Sequence, residues 1–299
     1  MLAAKVSQLH KDAVVAERIA SFWGKQIAFY GEAKAEEFYK SLGLNHLETK
    51  ATFDWEGMTL SREPTDIEKL CIKSIAAAQD TSKESITTNL MALREVLIDR
   101  GMTAIKKLEP ADYHTLVLEV PQSLWNDLRV LLDKVFMQGK KLVARELNKQ
   151  KEAKQTAQTN DDEFFLDDLT DLTDSRVVND VQARIIAAVA RFTLLGLTGS
   201  ELSKAVRDEV ETGSVSYIDR AATGLANKVL NFGRSREAED RSDEWDRVEY
   251  SAILDQNVCS PCAAEDGKTA KDEADLQPTP NPECEGGDWC RCFWVYLNQ

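Results

Sequence analysis

Five of the six cysteines in this 299-residue chain fall within its last 41 residues: Cys259, Cys262, Cys284, Cys290 and Cys292. They are spaced as C-x2-C, then 21 intervening residues, then C-x5-C-x-C. A C-x2-C pair in a tight turn brings two thiolates within reach of one ion, as a tetrahedral zinc requires. A second cysteine group some twenty residues on matches the layout of a structural zinc site. The connecting stretch "AAEDGKTAKDEADLQPTPNPE" is polar and carries Pro278, Pro280 and Pro282. Such a loop has little core of its own, so a metal would supply part of its folding free energy.

Disulfides and spare or redox-active thiols are the competing readings of the same residues. The three histidines are His10, His46 and His114, all in the first half, so the tail contains no Cys–His nucleophilic dyad. The sequence "NVCSPCAAEDG" lacks the strand-to-helix setting of a thioredoxin-like redox pair. Four ligand positions and five cysteines leave one over. The expected set is Cys259, Cys262, Cys284 and Cys290, with Cys292 able to replace either of the last two. All-cysteine ligation leaves no open position, so the expected role of the zinc is structural. Trp289, Arg291, Phe293 and Trp294 are expected to pack around this knuckle. The pairs Glu265–Asp266 and Asp272–Glu273 are expected to be solvated loop.

The rest of the chain reads as mainly α: a helical N-terminal region and a small α+β C-terminal domain that ends in the cysteine-rich, zinc-type knuckle. The first stretch, with Leu2, Val6, Leu9, Val14, Ile19 and Phe22 at helical spacing, reads as an amphipathic helix. Its interruption by charged residues is unlike a signal peptide, which points to use inside the cell, where clustered cysteines favour metal over disulfides. Thr65 and Glu68 form a capping-box pattern at the head of "PTDIEKLCIKSIAAA". A second helix, "SKESITTNLMALREVLIDRG", is expected to stop at Gly101. "ATFDWEGMTLS" and "YHTLVLEVP" read as extended, and a long helix is expected from about residue 123 to 151. Cys71, inside an apolar stripe, reads as a small buried hydrophobe.

Charge marks out three regions. Residues 1–150 are net neutral, whereas 151–175 and 176–299 carry the whole formal charge of −14. Such a surface disfavours general binding to phosphate backbones. Residues 1–150 are therefore read as a mostly helical N-terminal region, 151–175 as an acidic linker or docking segment, and 176–299 as a C-terminal domain. The cysteine knuckle spans 255–295. Within 176–299, a helix, a glycine-rich break, a helix capped near Ser200 and a further helix from Ser216 are expected. Val248, Tyr250 and Ile253 suggest a strand or an irregular approach to the cysteine module.

The tail "LDQNVCSPCAAEDGK", followed by prolines and Cys290-Arg291-Cys292, resembles the C-terminal signature of the Mu F-like phage head morphogenesis proteins. The matching positions are Asp255, Cys259, Cys262, Asp266, Gly267 and the Cys-Arg-Cys run. The preceding helix also fits, with Arg220 at its start and Gly233–Arg234 near its end. The resemblance covers about residues 175–299. Many members carry a histidine shortly before Cys-Arg-Cys; this chain has Cys284 in that region instead.

The resemblance implies a non-enzymatic minor head (minor capsid) protein of the virion, located at the portal vertex or head interior and in the host cytoplasm during assembly. It further implies a role in head morphogenesis and in DNA packaging or ejection. Its implied partners are the portal protein and other head or scaffold proteins, with weak or indirect contact with phage DNA and none with a membrane. Residues 1–150 would serve portal docking. The alternatives are an enzyme domain (a nuclease or group transferase using Asp255, Glu265 and Asp266) and an unrelated zinc-stabilised interaction module.

Overall fold

The computed structural model describes residues 53–66, 68–147, 160–254 and 258–298. The expected amphipathic helix at the N-terminus, residues 148–159 and Asp255 lie outside the described residues. The described chain is mainly helical with a small C-terminal β region. A hairpin of β1 (Phe53–Trp55) and β2 (Met58–Leu60) leads into α1 (Glu68–Ile105). A 3-10 turn at Pro110–Thr115 and an extended stretch follow, then α2 (Gln122–Glu146), α3 (Asn160–Leu194) and α4 (Gly199–Asp240). The cysteine region contains β3 (Arg247–Ser251), the short α5 (Ser260–Glu265), β4 (Thr269–Ala270) and β5 (Phe293–Leu297). Its sheet has the order β4-β3-β5, antiparallel throughout, with Val248 opposite Tyr296 and Tyr250 opposite Trp294.

Helix α1 starts as its capping box dictates. The Glu68 amide donates to the Thr65 hydroxyl at 3.2 Å, and the Thr65 amide donates to the Glu68 carboxylate at 2.9 Å. Two helices were expected here, yet one helix of 38 residues runs through. The hydroxyls of Ser85 and Thr88 bond back to carbonyls one turn earlier, so these polar residues stay inside the helix. Gly101 does not end it: that glycine makes room for Ile185 of α3, whose Cδ1 would sit 2.7 Å from a Cβ. Helix α4 likewise continues through the expected break near Gly213, where the buried Ser214 hydroxyl bonds to the Val210 carbonyl.

The acidic stretch from Asn160 onward forms the first turns of α3 rather than a connector. Its acids meet donors: Asp162 accepts from Arg236 at 2.9 Å, Asp171 from the Trp125 indole at 2.6 Å, and Asp167 from Arg129. Its apolar residues also find cover, with Leu166 buried and Phe165 against Phe232 at 3.9 Å between ring centroids. Pairing of its charges and burial of its apolar face together explain why so polar a run is helical.

Helices on both sides of the expected boundary share one core. Leu97, Leu128, Ile185, Leu230 and Phe293 belong to a single buried cluster. The partition at 150–175 therefore does not separate two cores among the described residues. α2 crosses α4 closely, with Gly139 and Gly233 facing the opposite backbone. A Cβ on Gly233 would lie 2.1 Å from the Phe136 carbonyl oxygen, and one on Gly139 would lie 2.2 Å from that of Leu230. The "YHTLVLEVP" segment is extended after its 3-10 turn but joins no sheet. Leu116 and Leu118 are buried, and the Leu118 amide donates to Gln182 at 2.9 Å.

Candidate metal centre

The cysteines are delivered by three local structures. Cys259 caps the start of α5, and Pro261 in the first turn fixes the entering backbone. Cys262, three residues later, shares a helical face with Cys259. The chain then turns at Gly267, which takes the left-handed φ of +80°. Its amide donates to the Tyr250 carbonyl, and the Tyr250 amide donates to that of Lys268, each at 2.9 Å. These two bonds lock α5 to β3. Cys284 sits in a turn that Asn281 organises by accepting the Glu283 amide at 2.9 Å. Cys290 and Cys292 lie on the extended approach to β5.

β5 is an edge of its sheet, so its outward carbonyls need donors from elsewhere. Helix α4 supplies them. Asn227 donates to the Cys290 carbonyl at 2.7 Å, Asn231 to that of Cys292 at 2.9 Å, and Arg234 to that of Trp294 at 2.6 Å. A row spaced i, i+4, i+7 on one helix face thus meets every second carbonyl of an extended strand. Arg234 is 1 % exposed and pairs with Glu146 of α2, which ties this row to the bundle.

No disulfide joins the six cysteines. Five of them form two overlapping trios, Cys259–Cys262–Cys284 and Cys262–Cys290–Cys292, each with its sulfurs within 4.8 Å of one another. The sulfurs of Cys259 and Cys284 are 3.6 Å apart, and those of Cys262 and Cys290 are 4.0 Å apart. A zinc with Zn–S of about 2.3 Å sets its sulfurs about 3.8 Å apart, so these separations suit a metal. Cys262, Cys290 and Cys292 are buried, whereas Cys259 and Cys284 are partly exposed. The buried Tyr250 hydroxyl lies 3.9 Å from the Cys262 sulfur.

Burial and neighbouring thiols push the Cys262 thiol well above its usual range. At Cys290, the contact from Cys284 pulls down, but Cys292 and burial push up further, to about 12. Protonated thiols do not ligate, so a cation must displace these protons. The cluster is thus compatible with metal binding, which the spacing foresaw; the structure contains the expected residues Cys259, Cys262 and Cys284 as one trio and links Cys290 to it through Cys262.

The acids near the centre are structural in their contacts. Asp266 accepts from the Ala252 amide at 2.8 Å and from two nitrogens of Arg62, at 2.6 and 3.0 Å. Arg62 also grips Glu68 at 2.7 and 2.8 Å, and the Ser251 hydroxyl donates to Glu68 at 2.5 Å. Burial raises the Glu68 carboxyl, but Arg62, Ser251 and the Thr65 amide outweigh it and hold the carboxyl below its usual range. Glu265 pairs with Lys268 at 2.8 Å. Glu273 accepts from Ser235 and Tyr296 at 2.5 and 2.7 Å. Asp266 and Glu273 therefore depart from the solvated-loop expectation, because each terminates polar groups that would otherwise be buried unpaired.

Around the knuckle, Arg291 donates to Gln79 at 2.9 Å and to Asp80 at 3.0 Å, anchoring the middle of Cys-Arg-Cys on α1. Phe293 is buried, and the Trp294 indole donates to the Gln277 carbonyl at 3.2 Å. Trp289 is the most exposed of the group, with Lys83 over its ring. Asn227, Asn231, Arg62 and Glu146 carry the site's support and are not singled out by the sequence reading, which places Tyr250 on a strand but not beside the sulfurs. The asparagines had a signal: with Arg234 they form a polar row at i, i+4, i+7 in a helix segment where Leu225, Ala226, Val229 and Leu230 are apolar and buried.

Comparison with protein-family models, curated proteins and solved structures gives no match to this chain. No helix among the described residues is long and apolar enough to cross a membrane.

Proposed function

We propose that this chain is a non-enzymatic minor head protein of the Mu F-like type, which acts with the portal during phage head assembly. Its C-terminal region is a rigid module closed by one structural zinc. The proposed ligands are Cys259, Cys262, Cys284 and Cys290. The observation that carries the reading is the way the positions of the resemblance converge. Asp266 and Gly267 lock α5 to β3, Arg234 holds the Trp294 carbonyl, and the cysteines meet between them. That convergence supports a scaffold in which these residues build the fold. The engagement of Asp266 and Glu265 in structural pairs favours a scaffold over a hydrolytic centre at these acids.

The portal vertex is the proposed location, and the portal protein and neighbouring head or scaffold proteins are the proposed partners. The acidic surface suits protein contacts better than direct binding to DNA. The test is co-expression of the tagged full chain with a portal protein from the same genome. Recovery of a stoichiometric complex that survives size-exclusion chromatography is expected. A portal that runs separately at micromolar concentrations would overturn the assembly role.

A further inference from the structure

One tetrahedral ion uses four sulfurs, yet the fifth, Cys292, is as buried as Cys262 and belongs to a second trio with Cys262 and Cys290. The two trios share only Cys262. Two three-coordinate ions that share one bridging thiolate need five sulfurs, the number assembled here. Three-coordination by thiolates suits soft monovalent cations, of which copper(I) is the biological example. With a metal–sulfur distance of about 2.3 Å, a trigonal site sets its sulfurs about 4.0 Å apart. The Cys262–Cys290 separation is 4.0 Å, and that of Cys259 and Cys284 is 3.6 Å.

We propose that the five cysteines form a binding site for two copper(I) ions, one in each trio, bridged by the Cys262 thiolate. This rests on the reading of the cluster as a metal site and extends it to a second class of metal. The outer position, bounded by the partly exposed Cys259 and Cys284, would fill from solvent; the inner one is walled by buried sulfurs. Each ion displaces the protons of the thiols it binds. Tyr250 stands beside the bridging sulfur, its hydroxyl 3.9 Å away and oriented to donate to it. With zinc bound instead, Cys292 is the thiol left outside the set.

The experiment is an anaerobic titration of the purified full chain with copper(I) buffered by bicinchoninate, with bound copper and released zinc counted after desalting. The wild-type chain is expected to saturate at two copper ions and release its zinc. Cys292→Ser should saturate at one copper while still binding zinc as isolated, and Cys259→Ser should also saturate at one copper. Saturation of the wild type at one copper, or equal uptake by wild type and Cys292→Ser, would overturn the paired site and leave the zinc reading standing. Uptake that climbs past two without a plateau would also overturn it, since that marks unspecific thiol loading. A chain that binds neither copper nor zinc would overturn both readings together.

Discussion

Asn231 donates its side-chain amide to the carbonyl of Cys292 at 2.9 Å, one helical turn beyond Asn227, which holds the Cys290 carbonyl at 2.7 Å. The helix thereby stands in for a missing strand along the cysteine-bearing edge. Both asparagines are buried, so removing either leaves a carbonyl without a donor. Asn227→Leu should cost about 1–3 kcal/mol, read as a shift in the urea midpoint at constant slope. The same variant should lose zinc faster to a chelator, because the Cys290 backbone is no longer held.

The α2–α4 crossing leaves no space for a methyl group at Gly233, where the Phe136 carbonyl oxygen would be 2.1 Å away. The obstacle is backbone, so no rotamer change relieves it. Gly233→Ala should cost about 3 kcal/mol or more despite alanine's better helix propensity. A stabilised variant in thermal melting would show that the helices are not so closely packed.

Glu146 and Arg234 form a buried pair between α2 and α4. Glu146→Ala strands the Arg234 charge and should cost about 3–5 kcal/mol. Replacing both, as Glu146→Leu with Arg234→Met, should recover part of that loss, since no isolated charge stays buried, although the Trp294 carbonyl loses its donor. Chemical denaturation of the two variants side by side distinguishes charge stranding from simple loss of packing.

Asp174 is buried on α3, and one of its carboxylate oxygens has no hydrogen-bond partner. Burial first, and then the charge of Asp171, raise its pKa from 3.8 to about 6. A carboxyl raised on folding binds its proton more tightly in the folded state. Its cost is therefore absent below about pH 4, grows between pH 4 and 6, and is full above that. Asp174→Asn should stabilise the chain at pH 7 by about 1–2 kcal/mol. The gain should vanish near pH 4 in melts recorded across that range.

Much of this architecture was legible where local chemistry and tertiary packing agree. Thr65 and Glu68 announced the start of α1, the alternation of Val248 and Tyr250 announced β3, and the cysteine spacing announced a convergent cluster. The misreadings share a cause. Gly101 and Gly213 look like helix ends by local rules, but the α3 residues packed against them, Ile185 and Arg184, are not signalled by them. The acidic run after Asn160 looks like a linker until Arg129, Arg236 and Trp125 are brought against it from other helices. The acids near the cysteines were read as solvated because the partner of Asp266 is Arg62, 204 residues away in sequence.

The most direct test of the metal centre is the metal content of the full chain purified without added metal or chelator, measured by plasma mass spectrometry. About one zinc per chain is expected, lost in Cys262→Ser together with a lower melting temperature of the C-terminal region. A wild-type chain that carries no metal, and melts at the same temperature with and without a strong chelator, would contradict the account.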